Sequence, residues 1–320
     1  MRIIILGIGA IGGTVAAALA RSGQEVLCIA RGEQLAAIRQ SGLKLRCPGE
    51  SFTEALDCVS SPAEIAFRPD DAILLATKTQ HSAAALDALR DAGVTDQPVF
   101  CLQNGVENER IALRRFPNVH GVLVMMPAQY LIAGEVLAFS APCHGAFDIG
   151  RFPGGCDGAD RALAAAMTAA NIPSVASEAV MTAKYGKLVM NLGNISEALV
   201  GPSGDKAAAT RALQDEGRAV LTAAGIAFRE DIDPERRARM KIEEIAGVER
   251  LGSSTSQSFA RGAASVETDF LNGEIALIAR QHGLAAPRNA FACAAAARMV
   301  AGRIAPGGLP QDEVAAALGL

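Results

Sequence analysis

Two lysines and two asparagines share one face of a helix-like stretch in the second half of the chain, and together they suit proton transfer. Within residues 181–199, helical spacing gathers Met181, Tyr185, Leu188, Leu192, Ile195 and Leu199 into an apolar stripe. Lys184, Lys187, Asn191 and Asn194 fall on another face. Asparagine disfavours helix interiors because its side chain competes for backbone hydrogen bonds. A solvated face would carry Glu, Lys or Gln, so this face reads as the lining of a polar pocket. A lysine kept from water or close to a second cation has a lowered pKa and can pass its proton to a developing alkoxide. Glu267 is the second candidate. If the segment around it is helical, it shares a face with Leu271, Ile275 and Ile278. A carboxylate there needs a partner, either a buried lysine or a ligand; the plainer alternative is a first-turn glutamate favoured by the helix dipole.

A second chemical signature opens the chain. Gly7-Ile8-Gly9-Ala10-Ile11-Gly12 is G-x-G-x-x-G, placed after the β-branched run Arg2–Leu6 and before a helix-like stretch from Ala10 to Arg21. In a dinucleotide fold the first glycine permits the tight turn and the second admits the pyrophosphate. The third lets helix and strand pack, and the helix N-terminus stabilises the phosphate charge. The strand that follows, Gln24–Ala30, ends without an acid to hold a ribose 2′-hydroxyl. Arg31 stands at its tip, where a guanidinium fork fits a 2′-phosphate. NADP(H) is therefore the expected cofactor. Two further loops follow carboxyl ends of strands, where ligands bind in such sheets. Lys78 in Thr77-Lys78-Thr79-Gln80 fits a ribose or phosphate contact as well as a surface lysine. Asn104 in Gln103-Asn104-Gly105 fits a nicotinamide ribose or substrate contact as well as a plain turn.

These groups need a scaffold that the pattern supplies. Strands at Ala72–Ala76 and Pro98–Leu102 alternate with a helix at about Ser82–Ala92, which argues for a doubly wound parallel sheet. Short runs at Gly121–Met126, Glu135–Phe139 and Ala146–Ile149 read as an antiparallel extension, closed by a helix at Ala159–Ala170 and a strand near Ser174–Ser177. From Glu178 the pattern is almost entirely helical, with helices at Ala207–Ala224, Ile275–Gln281 and Pro310–Leu318; Gly283 and Pro287 read as stop signals. The expected fold class is α/β, a Rossmann-type domain over 1–178 and an all-helical substrate and catalytic domain over 179–320.

Composition narrows the partners. The 320 residues are 50% hydrophobic and only 4% aromatic, so cores are built from aliphatic and alanine packing. A net charge of −4 gives no basis for nucleic-acid or anionic-membrane binding. Seven scattered cysteines without a CxxC pair are neither a disulfide framework nor a zinc pattern, and fit free thiols in a reducing cytoplasm. A metal is not expected. Ala18-Leu19-Ala20 imitates a signal-peptide cleavage site, but the four glycines at 7, 9, 12 and 13 fit a phosphate-binding turn better.

Taken in order, the G-x-G-x-x-G, the Lys78 loop, Gln103-Asn104-Gly105, Lys187-x-x-x-Asn191, Ser253-Ser254 and Glu267-x-x-x-x-Asn272-Gly273 resemble the ketopantoate reductase family across almost the whole chain. The resemblance implies NADPH-dependent reduction of 2-dehydropantoate to pantoate, a step of pantothenate biosynthesis, in a cytoplasmic enzyme that can form a homodimer. It implies Lys187 as general acid and Glu267 as substrate anchor and catalytic support. It also implies substrate contacts from Asn191, with Asn194 and Ser254 beside it, and places Asn104 and Lys78 near the nicotinamide and its ribose. The sequence departs from the family in two segments. Asn194 follows Asn191 by three residues, where the family's second asparagine follows by four. Ser253-Ser254-Thr255-Ser256-Gln257-Ser258 stands where the family has Ser-Ser-Met-Leu-Gln-Asp, and the spacing to Glu267 is one residue longer. Both bear on substrate, so a reductase of another 2-oxo acid is the first alternative. A non-catalytic NADP(H)-binding sensor is the second.

Overall fold

The computed structural model describes residues 1–231, 238–250, 252, 255, 259 and 266–320. The chain divides into two compact units. Residues 1–103, 108–181 and 231–249 form the first, and residues 104–107, 182–230 and 250–320 the second.

The first unit begins β1 (Arg2–Leu6), α1 (Ala10–Arg21), β2 (Val26–Ile29), α2 (Gly32–Ser41), β3 (Leu43–Cys47), β4 (Glu50–Glu54), β5 (Asp57–Val59), β6 (Asp71–Leu75), α3 (Thr79–Asp91), β7 (Val99–Cys101) and α4 (Asn108–Leu113). It continues with β8 (Val119–Met125), β9 (Ala128–Gln129), β10 (Glu135–Ala138), β11 (Ser140–Pro142), β12 (Ala146–Arg151), α5 (Gly158–Ala169) and β13 (Ser174–Ala176). The main sheet runs β13-β12-β8-β7-β6-β1-β2-β5, with β12 antiparallel to β8 and the other neighbours parallel.

The central strand shows why β1 has no polar face. Ile3 and Ile5 join the core containing Val15, Leu19 and Phe147, while Ile4 and Leu6 join the core with Leu86, Leu89 and Phe116. A strand covered on both faces is a continuous apolar run. With β2 on one side of β1 and β6 on the other, the strand order reverses at β1, the switch point where such sheets bind ligands.

Two expectations need correction here. Glu135–Phe139 does not extend the main sheet; β10 pairs parallel with β3 and antiparallel with β9 in a separate sheet of order β4-β3-β10-β9. The hairpin β3–β4 has a legible signal, the alternation Leu43-Lys44-Leu45-Arg46-Cys47, whose apolar members are buried. And a strand, β14 (Met240–Ile242), interrupts the helical second half. It pairs with β11 and belongs to the first unit.

The second unit is built on α6 (Val180–Asn191), a 3-10 turn at Leu192–Ile195, α7 (Ser196–Val200), α8 (Lys206–Ala223), a 3-10 turn at Glu267–Phe270, α9 (Asn272–Gln281), α10 (Pro287–Gly302) and α11 (Gln311–Leu318). The stretch 181–199 is thus two helices with a tighter turn between them. A Cβ on Gly193 would lie 2.5 Å from Thr210 Cγ2, and one on Gly217 2.4 Å from Leu192 Cδ1, so α8 seats closely on that turn. The apolar stripe is buried nonetheless at Met181, Leu188, Leu192, Ile195 and Leu199. Pro287 starts α10 rather than closing the previous helix, a position its missing N–H suits. The alanine-rich α10 has too little polar contrast to announce itself by periodicity.

A buried polar network ties these helices. Asn272 Nδ2 donates to the Leu192 carbonyl (3.1 Å) and to Asn289 Oδ1 (2.9 Å). Asn289 in turn donates to Glu216 Oε2 from its backbone (2.8 Å) and from Nδ2 (2.9 Å). No helix among the described residues is long and apolar enough to cross a membrane.

Candidate active site

A cleft of about 480 Å³ opens at the switch point of the main sheet, lined by Gly7, Ile8, Gly9, Arg31 and Lys78 of the expected cofactor residues. Its floor follows from glycine chemistry. Gly7 has φ +104°, and a Cβ there would lie 2.9 Å from the Ala76 carbonyl carbon. A Cβ on Gly12 would lie 2.0 Å from the Gly7 carbonyl oxygen, so Gly12 seats α1 on the turn instead of facing the cleft. A Cβ on Gly9 would meet nothing within 4 Å, which leaves a cradle that backbone and ligand can share. Gly9 caps α1 without a side-chain hydrogen bond, and Ala10 and Ile11 form the first turn. The N–H groups there have no acceptor within the helix, and they favour an anion.

Arg31 ends the β2 segment, is exposed, and its guanidinium makes no hydrogen bond or ion pair with a described residue. It is available to a phosphate. Lys78 caps α3 at the end of the β6 segment. Residues outside the motifs complete the cleft, among them Gln34, Thr77, His81 and Tyr130. Gln34 is a strut: its Nε2 donates to the Ile8 carbonyl (2.9 Å), and its Oε1 accepts from Gly134 N (2.7 Å). Gln103 Nε2 donates to the Thr77 carbonyl (3.1 Å), joining the loops after β6 and β7. Sequence periodicity could have found His81, which precedes Ala84 and Ala85 on one helical face. Nothing local marks Tyr130, which comes from the distant β9–β10 loop.

In the second unit, Lys184 and Lys187 lie one turn apart on α6. Lys184 is 2% exposed and Lys187 is part-buried. Desolvation, reinforced by the Lys184 ammonium, lowers the Lys187 pKa from 10.5 to about 7. Next to Lys187, α6 packs closely against backbone. A Cβ on Gly186 would lie 1.8 Å from the Arg229 carbonyl oxygen, and Arg229 N donates to the Thr182 carbonyl (3.0 Å). Arg218 holds that segment by a two-pronged pair with Glu230 (2.7 and 2.8 Å). Asn191 ends α6 with Nδ2 buried and without a hydrogen-bond partner among the described residues. Asn194 is part-buried in the 3-10 turn that follows.

Glu267 is part-buried and opens a 3-10 turn before α9, so it does not share a helical face with Leu271 and Ile275. The Asn104-Gly105 loop groups with this turn in the second unit: Gly105 has φ +77°, and a Cβ there would lie 2.8 Å from the Phe270 carbonyl oxygen. Asn272, part of the Glu267 motif, is engaged in the interhelical network. Ser254 lies outside the described residues.

Elsewhere, His120, Asp157 and Asp160 cluster within metal-ligand range of one another. Their atoms are already engaged. His120 bonds Asp160 Oδ1 (2.7 Å) and Asn118 Oδ1 (3.0 Å), while both aspartates cap the start of α5. All seven cysteines are free.

Comparison with known proteins covers both units. The family described as Ketopantoate reductase PanE/ApbA matches residues 3–154, and Ketopantoate reductase PanE/ApbA C terminal matches residues 179–299. A 2-dehydropantoate 2-reductase of Pyrococcus horikoshii is 28% identical over 298 residues, 90% of this chain and 94% of the relative. That of Archaeoglobus fulgidus is 29% identical over 294 residues, 88% and 92% of the two chains. Among solved structures, a PanE/ApbA family ketopantoate reductase from Ralstonia eutropha superposes with a TM-score of 0.78 at 27% identity, covering 95% of this chain and 99% of that one. A D-mandelate dehydrogenase solved with NADH and anilino(oxo)acetate shares the fold at 22% identity and a TM-score of 0.75, covering 98% and 99%.

Proposed function

The chain belongs to the ketopantoate reductase PanE/ApbA family, and from that premise we propose that it reduces 2-dehydropantoate to pantoate with NADPH. It is an enzyme, an oxidoreductase. The observation that carries the reading is Lys187, an ammonium brought to about 7 within the K-x-x-x-N helix. A general acid works best with its pKa near the working pH.

A bound reduced nicotinamide supplies the hydride, which adds to the ketone carbon of the substrate. Lys187 Nζ donates a hydrogen bond to the ketone oxygen, stabilises the charge that develops there, and gives up its proton to form the hydroxyl. Lys187 is left neutral, a state its desolvated site tolerates. Asn191 Nδ2, buried without a partner, is the donor for a substrate carboxylate or hydroxyl. Asn194 and Ser254 complete the set of substrate contacts, and Glu267 accepts from a substrate hydroxyl or orients Lys187. In the first unit, the turn at Gly7, Ile8 and Gly9 and the first turn of α1 hold the pyrophosphate. Arg31 holds the 2′-phosphate, Lys78 the nearer ribose or phosphate, and Asn104 the nicotinamide ribose.

The Ser253–Ser258 segment favours a second reading, a reductase of another 2-oxo acid, because it departs from the family where substrate is bound. Loss of NADPH absorbance with purified protein, ketopantoate, a panel of other 2-oxo acids and an NADH control separates the two. Fast oxidation with ketopantoate alone supports the first reading. Turnover only with another 2-oxo acid moves the substrate and keeps the chemistry. No turnover despite tight NADPH binding overturns both in favour of a sensor.

A further inference from the structure

His81 lies in the first turn of α3 and lines the switch-point cleft together with Ala84 and Ala85 of the same helix. Residues at that spacing share one helix face. Ala84 and Ala85, with Leu6 and Ile29 in the same lining, give small apolar surfaces of the kind a flat purine covers. Arg31 enters this cleft from the end of β2, and His81 from beyond the end of β6, with β1 between the two strands. Two strand spacings amount to about 10 Å, a span that an arginine and a histidine reaching inward can close around one phosphate.

The imidazole of His81, like the Arg31 guanidinium, makes no hydrogen bond or ion pair with a described residue. Among the described residues no carboxylate lines the cleft, and the other ionisable groups in its lining are Lys78 and Tyr130. On elements packed against α3, Glu64 accepts from Ser60 and Ser61, and Glu109 and Arg110 of α4 lie outside the cleft lining. On α3 itself, Asp87 pairs with Arg115. Among the described residues nothing negative lines the cleft to neutralise a protonated imidazole. A phosphate would be.

We propose that His81 is a specificity-determining residue that, as an imidazolium, holds the adenosine 2′-phosphate of NADPH jointly with Arg31. The inference rests on the NADPH reading above and adds to it a dependence on protonation. A protonated imidazole attracts a phosphate through a charge-assisted hydrogen bond and a neutral one does not, so affinity for NADPH, and not for NADH, is expected to depend on pH.

The test measures dissociation constants of NADPH and NADH with the full-length protein and its His81→Gln variant, at about pH 6 and about pH 8. Loss of one charge-assisted hydrogen bond to phosphate is expected to weaken NADPH about tenfold at the lower pH. The loss is smaller at the higher pH, and NADH affinity stays unchanged at both. The second ionisation of the free cofactor's phosphate, near pKa 6, is common to both proteins. His81→Lys, a cation at both pH values, is expected to hold NADPH at the higher pH as tightly as the parent does at the lower. Equal losses for NADPH and NADH, or no loss for either, overturn the assignment of His81 and leave the NADPH reading standing. A parent protein that binds NADH in preference, or binds neither, overturns the NADPH reading and with it this inference.

Discussion

Lys187 follows Lys184 by one turn of α6, and the Lys184 ammonium adds to desolvation in bringing Lys187 down to about 7. Reduction needs the protonated form. The kcat/KM for ketone reduction is therefore expected to be level below about pH 7 and to fall as pH rises above it. Oxidation of the hydroxy acid, which needs the neutral form, should rise through the same point. Lys187→Ala is expected to lower turnover by about 10²- to 10⁴-fold with NADPH affinity nearly intact. Normal turnover in that variant would move the proton donor to Lys184.

The same shift has a sign for stability. Between about 7 and 10.5 the folded protein binds fewer protons at Lys187 than the unfolded chain does. Stability contributed by this site is therefore lost as pH falls through that window, and the full cost is present below about 7. Lys187→Met removes the cost. Its Tm advantage over the parent is expected to be largest near or below neutral pH and to shrink toward pH 10.5; a gap that widens with pH would contradict the burial.

Two glycines of one turn separate binding from folding. Gly9→Ala puts a methyl group into open space. It should fold with an unchanged Tm and lose most dinucleotide affinity, as read by fluorescence titration. Gly12→Ala drives a methyl group to 2.0 Å from the Gly7 carbonyl oxygen. That variant is expected to lose stability by about 1–3 kcal/mol or more through overpacking, visible in a urea melt.

Arg31→Ala should discriminate the two nicotinamide cofactors. Its guanidinium has no described partner to lose, so the fold should be untouched. NADPH affinity should fall by about tenfold or more, as for loss of a charge-assisted contact to phosphate, while NADH affinity stays constant. Equal losses for both would remove the phosphate contact from Arg31.

Asn289→Leu tests the helical scaffold. The substitution leaves Asn272 Nδ2 with one acceptor fewer and takes from Glu216 Oε2 the buried side-chain amide at 2.9 Å, while the backbone N–H at 2.8 Å remains. Each buried polar group left without its partner costs about 1–3 kcal/mol. Chemical denaturation should show a lowered midpoint with an unchanged slope.

Legibility in the sequence followed locality. The strand before Gly7, the glycine spacing and the absence of an acid at the end of the second strand, where Arg31 stands, are contained within about thirty residues, and the cleft is lined by Gly7, Gly9 and Arg31. Lys187 was visible because asparagines at helical spacing are chemically out of place. The packing of the Arg229 backbone on Gly186, next to Lys187 but some forty residues away in the chain, was not visible. Glu267 was placed on a helix because its apolar neighbours fit that period, yet the helix starts at Asn272. Asn272, quoted only as part of the Glu267 motif, holds Leu192 and Asn289 with its side chain. The parallel pairing of β10 with β3 joins residues about ninety positions apart, and no local pattern encodes such a partner.

The return of β14 to β11 gives the chain a property that matters to anyone dividing it. Residues 231–249 come after most of α6 and all of α8, yet they supply a strand to the first unit and place Ile245 in a small core with Leu137 and Phe139. The two units are therefore interleaved along the gene. A fragment stopping near residue 178 would leave Phe139, 1% exposed in the intact protein, without part of its cover and the edge of β11 bare, which invites aggregation. Swapping helical portions between relatives to change their substrate would have to carry this strand back to its original owner.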